Sequence, residues 1–156
     1  MSESGIRLSE AVRSLEGLPV GEWRNGYGDS GSLHLGRYLK ENPPRHERAT
    51  RSCGEVIVSV WGATAAFTRA GATGEIARHP PLELRALGLE NLAGVTIVQA
   101  RWSDTTGALS LRFSSDAELD LVLDEDAHLG ADQWVLETTG KGTYIVRPGP
   151  SVTEER

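Results

Sequence analysis

Period-two alternation over residues 109–123 limits what this chain can fold into more than any other feature. Leu109, Leu111 and Phe113 stand at every second position, with Ser110 and Arg112 between them; Leu119, Leu121 and Leu123 repeat the pattern beside Glu118 and Asp120. Successive side chains of a strand point to opposite faces, so each run has one apolar face and one wet face. The intervening Ser114-Ser115-Asp116 is turn chemistry, and the two runs read as an antiparallel hairpin. Runs of similar length lie on either side: Val95–Trp102, Ala108–Phe113, Glu118–Leu123, Gln133–Thr138 and Thr143–Val146, with further turns at Asp104-Thr105-Thr106-Gly107 and Thr139-Gly140-Lys141-Gly142. Consecutive antiparallel strands are the expectation for this part of the chain.

The first part of the chain is more mixed. Leu8, Ala11, Val12 and Leu15 recur at helical spacing, with Ser9 or an earlier residue as cap and Gly17 and Pro19 as the stop. Val20–Tyr27 and Ser32–Leu39 read as two strands around Gly28-Asp29-Ser30-Gly31. Lys40–Arg51, with Pro43-Pro44, reads as a polar surface loop and is the one basic segment. Glu55–Phe67 has valines at 56, 58 and 60 with Ile57 and Trp61 among them, which suggests one central strand buried on both faces. A loop through Gly71 and Gly74 then leads to a second helix over Leu82–Leu92. The expected fold class is α+β: mainly an antiparallel β-sheet meander with about two helices packed on it.

A length of 156 residues suits a single domain over 1–150, with 151–156 as a frayed tail. A chain of this size buries about two-thirds of its unfolded surface, so a core forms without metal or disulfide staples. The lone Cys53 has no internal disulfide partner, and Met1-Ser2-Glu3-Ser4-Gly5 lacks the basic-then-apolar layout of a signal peptide. The apolar run Val56 to Phe67 is interrupted by Ser59, Gly62 and Thr64, and it falls short of the about twenty residues a membrane helix needs. A soluble cytoplasmic protein is the expectation.

Charge is distributed unevenly. Residues 1–112 carry 12 acids and 13 bases, a net of +1, whereas residues 113–156 carry 10 acids and 3 bases, a net of −7. Between Phe113 and Gly140 there is no Lys or Arg, while Asp116, Glu118, Asp120, Asp124, Glu125, Asp126, Asp132 and Glu137 all fall there. A surface of that sign repels nucleic acid and attracts a basic protein. The turn residues Asp124, Glu125, Asp126 and Asp132 are the candidate partner-binding set, with Trp134 beside them as an apolar anchor, since tryptophan is enriched at binding hot spots. Solubility alone is the competing reason for such acidity.

Three motifs resemble known chemistry, and each lacks what that chemistry requires. Gly26-Tyr27-Gly28-Asp29-Ser30-Gly31 spells a dinucleotide-binding pattern, but the residues before it are too polar for the buried strand, and the residues after it alternate like a strand instead of opening a helix. Gly28-Asp29-Ser30-Gly31 resembles the nucleophile segment of trypsin-like proteases and the N-terminal block of lipases with a Gly-Asp-Ser-Leu motif. Those folds are not supported, and Glu125-Asp126-Ala127-His128 stands where the lipases have Asp-x-x-His. Asp124, Asp126 and His128 alternate as oxygen and nitrogen donors, yet Leu129 and Val135 occupy the places where an EF-type calcium loop needs glycine and glutamate. His34, His46, His79 and His128 are scattered, which disfavours zinc. No catalytic residue, metal site or cofactor is assigned. A small enzyme using His34 or His128 as acid or base, and a ligand-sensing or scaffold domain, remain as alternatives.

The blocks Ser32-Leu33-His34-Leu35-Gly36, Val56-Ile57-Val58-Ser59-Val60-Trp61, Leu109-Ser110-Leu111-Arg112-Phe113 and Asp132-Gln133-Trp134, closing in Tyr144-Ile145-Val146, resemble small bacterial proteins similar to the immunity proteins of polymorphic toxin systems. That resemblance implies a binding protein that inhibits a partner, a toxin in the first instance. It transfers no catalytic residues.

Overall fold

A computed structural model describes residues 2–25, 30–40, 52–69, 72–75, 92, 94–139 and 141–155. Ser2 starts the helix α1 (Glu3–Arg13): its side chain accepts a hydrogen bond from the Gly5 amide at 3.0 Å, satisfying one of the amides that a helix leaves unpaired. Glu3 in the first turn and Arg13 in the last complement the helix dipole. Leu8, Val12 and Leu15 are buried on one side, as their spacing predicts. The cap is earlier than Ser9, and Gly17, at a φ of 90°, turns the chain out of the helix.

Eleven strands follow among the described residues: β1 (Val20–Asn25), β2 (Gly31–Lys40), β3 (Ser52–Val60), β4 (Thr64–Arg69), β5 (Ala72–Glu75), β6 (Ile97–Trp102), β7 (Leu109–Phe113), β8 (Glu118–Val122), β9 (Trp134–Thr138), β10 (Gly142–Arg147) and β11 (Ser151–Glu155). They form a six-stranded sheet, ordered β1-β2-β3-β9-β10-β11, and a five-stranded sheet, ordered β5-β4-β8-β7-β6. Every adjacent pair is antiparallel. The α+β expectation holds in its coarse form, with β-structure dominant and one helix among the described residues. The second predicted helix, over Leu82–Leu92, lies outside the described residues except for Leu92, which is buried in the core.

The single meander is corrected to two sheets. β6, β7 and β8 are consecutive neighbours as expected, but the chain then crosses to the other sheet and places β9 between β3 and β10. Glu55–Phe67 is likewise not one strand buried on both faces. It breaks at Trp61-Gly62-Ala63 into β3 and β4, which belong to different sheets. Side-chain parity gives the reason. Val56, Val58 and Val60 are buried at even positions, then Ala63, Ala65 and Phe67 at odd ones. A straight strand cannot change parity and keep one face inward, so the chain turns a corner there.

The inward faces meet in one hydrophobic cluster. In the five-stranded sheet, Phe67, Leu119, Leu111 and Ala100 form one buried row across four strands, and Ala65, Leu121 and Leu109 form the next. In the six-stranded sheet, Val60, Trp134 and Val146 stand opposite one another, as do Leu33, Val58 and Leu136. Facing sheets that share one core make a two-layer arrangement, and α1 lies against its side, touching both edges. Gly17 N donates to the Ile97 carbonyl at 2.7 Å, and the Glu16 carboxylate accepts from Ala100 N at 3.1 Å, so the β6 edge is capped. At the β11 edge, Arg7 Nε donates to Glu154 Oε2 at 2.6 Å. That bond raises the Arg7 guanidinium above its ordinary range, against a smaller opposing effect of desolvation.

The C-terminal segment is also corrected. Residues 151–155 are not a frayed tail: β11 pairs with β10 from Arg147↔Ser151 to Thr143↔Glu155, and Val152 packs against the core. The turn Pro148-Gly149-Pro150 returns the chain, with Gly149 at a φ of 138°. The loop expected around Gly74 is a hairpin instead, with Phe67↔Gly74 paired between β4 and β5. Residues 26–29 and 41–51, which hold the glycine-rich turn and the basic loop, lie outside the described residues. Asn25 pairs with Gly31, and the chain after the glycine-rich stretch is the strand β2 and not a helix.

Leu121 is fully buried between Leu109 and Ala65. Leu121→Ala should lower stability by about 2–5 kcal/mol through lost burial and the cavity left behind. Val122→Ala, at a 49% exposed position, should cost far less. Urea unfolding of the two variants measures the difference, and equal losses would contradict the inward and outward assignment of β8.

Candidate functional site

Gln133 is the buried residue that assembles the acidic end of the molecule. It is 1% exposed and immediately precedes β9. Its carbonyl accepts from the amides of Trp61 at 3.0 Å, Gly62 at 3.2 Å and Ala63 at 3.1 Å, which are the three residues of the corner between β3 and β4. Its own amide donates to the Val146 carbonyl at 2.9 Å. Its side-chain Oε1 accepts from Asp124 N at 2.7 Å, where the chain leaves β8. The adjacent Trp134 donates from Nε1 to the Gly107 carbonyl at 2.8 Å. Four segments distant in sequence are thereby tied at one end of the two sheets.

Two glycines permit this closeness. A Cβ on Gly62 would stand 2.8 Å from Gln133 Nε2 and 3.1 Å from the Asp132 carbonyl. Gly107 adopts a φ of 77°, and a Cβ there would collide with Leu123 and Pro150.

The loop from Leu123 to Asp132 is held by its own hydrogen bonds. Asp124 Oδ1 accepts from Asp126 N at 3.0 Å, and Ala127 N donates to the Asp124 carbonyl at 3.2 Å, which closes a turn. His128 Nδ1 accepts from Gly130 N at 3.2 Å, and Ala131 N donates to the His128 carbonyl at 3.0 Å, which closes a second. Asp124 is half-buried, whereas Glu125 and Asp126 are exposed at the first turn. Asp132 accepts from Arg147 Nε at 2.8 Å, and Arg147 donates a further bond to Thr153. The four acidic residues named from the sequence therefore lie on one loop, but Asp132 is already neutralised by its partner.

Trp134 is corrected. It is 0% exposed, packed between Val60 and Val146, with its indole donor satisfied, so it is a core residue and not an interface anchor. Its position on the inward parity of β9, alternating with Leu136, is the physical reason. The exposed apolar residues at this end are others. Trp61, in the corner bonded to Gln133, is 58% exposed, and Leu129, within the acidic loop, is 75% exposed. Sequence reasoning missed both. The parity break on either side of Trp61 was the available signal for the first; nothing in the sequence marked the second.

Both histidines offered for acid–base work accept a backbone amide at Nδ1. His34 is 4% exposed; its Nδ1 accepts from Gly54 N at 3.1 Å, and its Nε2 lies 3.1 Å from Ser32 Oγ. Among the described residues no group of three or more His, Cys, Asp or Glu is placed to hold a metal ion, and no helix is long and apolar enough to cross a membrane.

Gln133→Leu should preserve the volume of the side chain but leave the Asp124 amide without its acceptor, at a cost of about 1–3 kcal/mol. Hydrogen exchange should accelerate at Asp124 and Asp126 in that variant before it does in β7 or β8. Uniform acceleration across the sheets would show instead that Gln133 supports the core as a whole and not the loop.

No protein-family model, no curated protein and no solved structure matches this chain.

Proposed function

We propose that this chain is a non-catalytic protein-binding module that engages a basic protein through its acidic end, in the manner of an immunity-like or antitoxin-like inhibitor. The observation that carries this reading is the combination at one loop. The carboxylates of Glu125 and Asp126 are exposed on a backbone fixed at Asp124 by the buried Gln133, and the exposed apolar side chains of Trp61 and Leu129 belong to the same tied end. Exposed carboxylates alone would serve solubility. Large apolar side chains left in water beside them are what an interface uses.

The two kinds of group act on different steps. The carboxylates attract a basic surface from a distance, and their pull shrinks as the Debye length falls from about 10 Å at 0.1 M salt to about 3 Å at 1 M. Trp61 and Leu129 act at contact, by losing water against the partner. The held backbone limits the entropy lost when the loop is bound.

The partner is to be captured from the native host, identified, purified, and measured by surface plasmon resonance. Reversal of Asp124, Glu125 and Asp126 to Lys should slow association markedly at low salt and little at 1 M salt, with a modest fall in melting temperature because Asp124→Lys also removes the acceptor of Asp126 N. Trp61→Ala should chiefly quicken dissociation. If the triple variant associates at the wild-type rate at low salt, the loop is a solubility feature and this function is wrong.

A further inference from the structure

A cavity of about 440 Å³ opens where the start of α1 meets the end of β6 and the turn into β11. Ser2 lines it from the helix, Trp102 and Asp104 from the end of β6, and Pro150, Ser151 and Val152 from the far side. Trp102 also lines a smaller hollow of about 220 Å³, beside Ser9 and Val12 on the later turns of α1. Its ring packs against the core, yet its Nε1 is cut off from solvent and, among the described residues, has no hydrogen-bond acceptor. Trp134 shows the usual arrangement, since its indole donates to the Gly107 carbonyl at 2.8 Å. A buried indole N–H normally finds a partner, and leaving one unpaired costs free energy. The described residues supply Trp102 with none, while the two hollows along its ring leave it room to turn toward one.

We propose that this cavity binds one neutral pyranose ring, with one sugar hydroxyl accepting from Trp102 Nε1 and another donating to the Asp104 carboxylate. The inference stands apart from the partner-binding reading, because neither Trp61 nor residues 124–129 line this cavity. Its size falls within the about 300–1,000 Å³ of small-molecule sites. The lining decides the class of ligand. Trp102 can only donate, the Asp104 carboxylate can only accept, and Ser151 does either. Ser2 Oγ accepts from Gly5 N and still carries its own proton. Every hydroxyl of a sugar both donates and accepts, so a single ring meets all four groups. Its C–H faces are apolar and slightly positive, which suits the indole, Pro150 and Val152. An anion would face Asp104, with no Lys or Arg among the described residues that line the cavity. A purely apolar ligand would leave Trp102 Nε1 unpaired.

The test follows the indole N–H resonances of the isotope-labelled full chain, with that of Trp102 assigned by its loss in Trp102→Phe. The probes are the methyl β-pyranosides of glucose, galactose and N-acetylglucosamine, with methyl glucuronide and cyclohexanol as controls. At least one of the three neutral sugars should move the Trp102 N–H resonance saturably. It should bind at least about tenfold tighter than either control, the effect of one hydrogen bond or one unfavourable charge. Trp102→Phe keeps an aromatic ring without the donor, and Asp104→Asn changes an exposed position that folding does not depend on. Both should weaken the sugar, the first by about tenfold and the second severalfold, because a bond to an ionised acceptor is the stronger kind. Asp116→Asn, at an exposed turn that does not line the cavity, should leave binding unchanged. If a trapped water already satisfies the indole, none of the three sugars will move its resonance, and the assignment falls. Equal binding of methyl glucuronide or cyclohexanol, or wild-type affinity in either Trp102→Phe or Asp104→Asn, would overturn it as well.

Discussion

The two sheets meet at one buried carbonyl. Gln133 O has two lone pairs and faces three amides, those of Trp61, Gly62 and Ala63, at distances that make the bonds shared. Backbone amides at a chain reversal must find acceptors, because an unpaired amide away from water costs free energy comparable to a lost hydrogen bond. Here one peptide unit from a strand start serves the whole corner. It fixes where β3 ends, where β4 begins and how β9 enters between β3 and β10. The side chain of the same residue then holds the end of β8 through Asp124 N. Each crossing between the sheets is therefore joined to the other, and neither can shift register without breaking bonds at Gln133.

What the sequence showed and what it hid follow from the range of each interaction. Alternation at 109–113 and 119–121 is local, and it gave the inward residues of β7 and β8 correctly. The helix over Leu8–Leu15 was legible from spacing, although its cap lay at Ser2, where no apolar periodicity pointed. The division into two sheets was less accessible because pairing between distant strands leaves no local mark. The parity change between Val60 and Ala63 did leave one, and Gly62 stands at its centre. Reading Glu55–Phe67 as one strand buried on both faces overlooks that a strand cannot change which positions face inward. The C-terminal strand was misjudged for a different reason: Ser151–Glu155 is polar and short, and its order comes from pairing with β10 and from Glu154 meeting Arg7, a residue at the other end of the chain.

The acidic tract shows the same separation between sequence and space. Eight carboxylates without an intervening cation read as one feature, but the fold disperses them. Glu118 and Asp120 lie on the wet face of β8, where both accept from Ser110 Oγ and where Arg112 stands opposite Glu118. Glu137 lies in the other sheet, and Asp132 is spent on Arg147. The concentrated part is the turn 124–126. Trp134 failed as an anchor because nearness to that turn is not exposure: one residue after Gln133 the chain has already entered the core. The aromatic residue that does reach solvent here is 73 positions earlier than Trp134, brought back by the corner.

That arrangement bears on how such a surface could be built at little cost to folding. The apolar interior is closed by the rows through Phe67 and Leu119 in one sheet and through Val60, Trp134 and Val146 in the other, and none of those residues is on the acidic loop. The amides of Asp124, Asp126, Ala127, Gly130 and Ala131 are bonded within the loop or to Gln133, and the side chains at 125, 126 and 129 carry no structural duty shown by a hydrogen bond or by burial. Residues released from folding can change with little effect on stability, and a loop held by its backbone keeps whichever side chains it bears in a fixed presentation. Selection for a partner can therefore act on these positions almost independently of the fold, whereas Gln133, Gly62 and Gly107 are bound to the geometry that makes the loop rigid. Under the proposed binding role, a fixed frame and separately variable side chains would let the surface change without the fold.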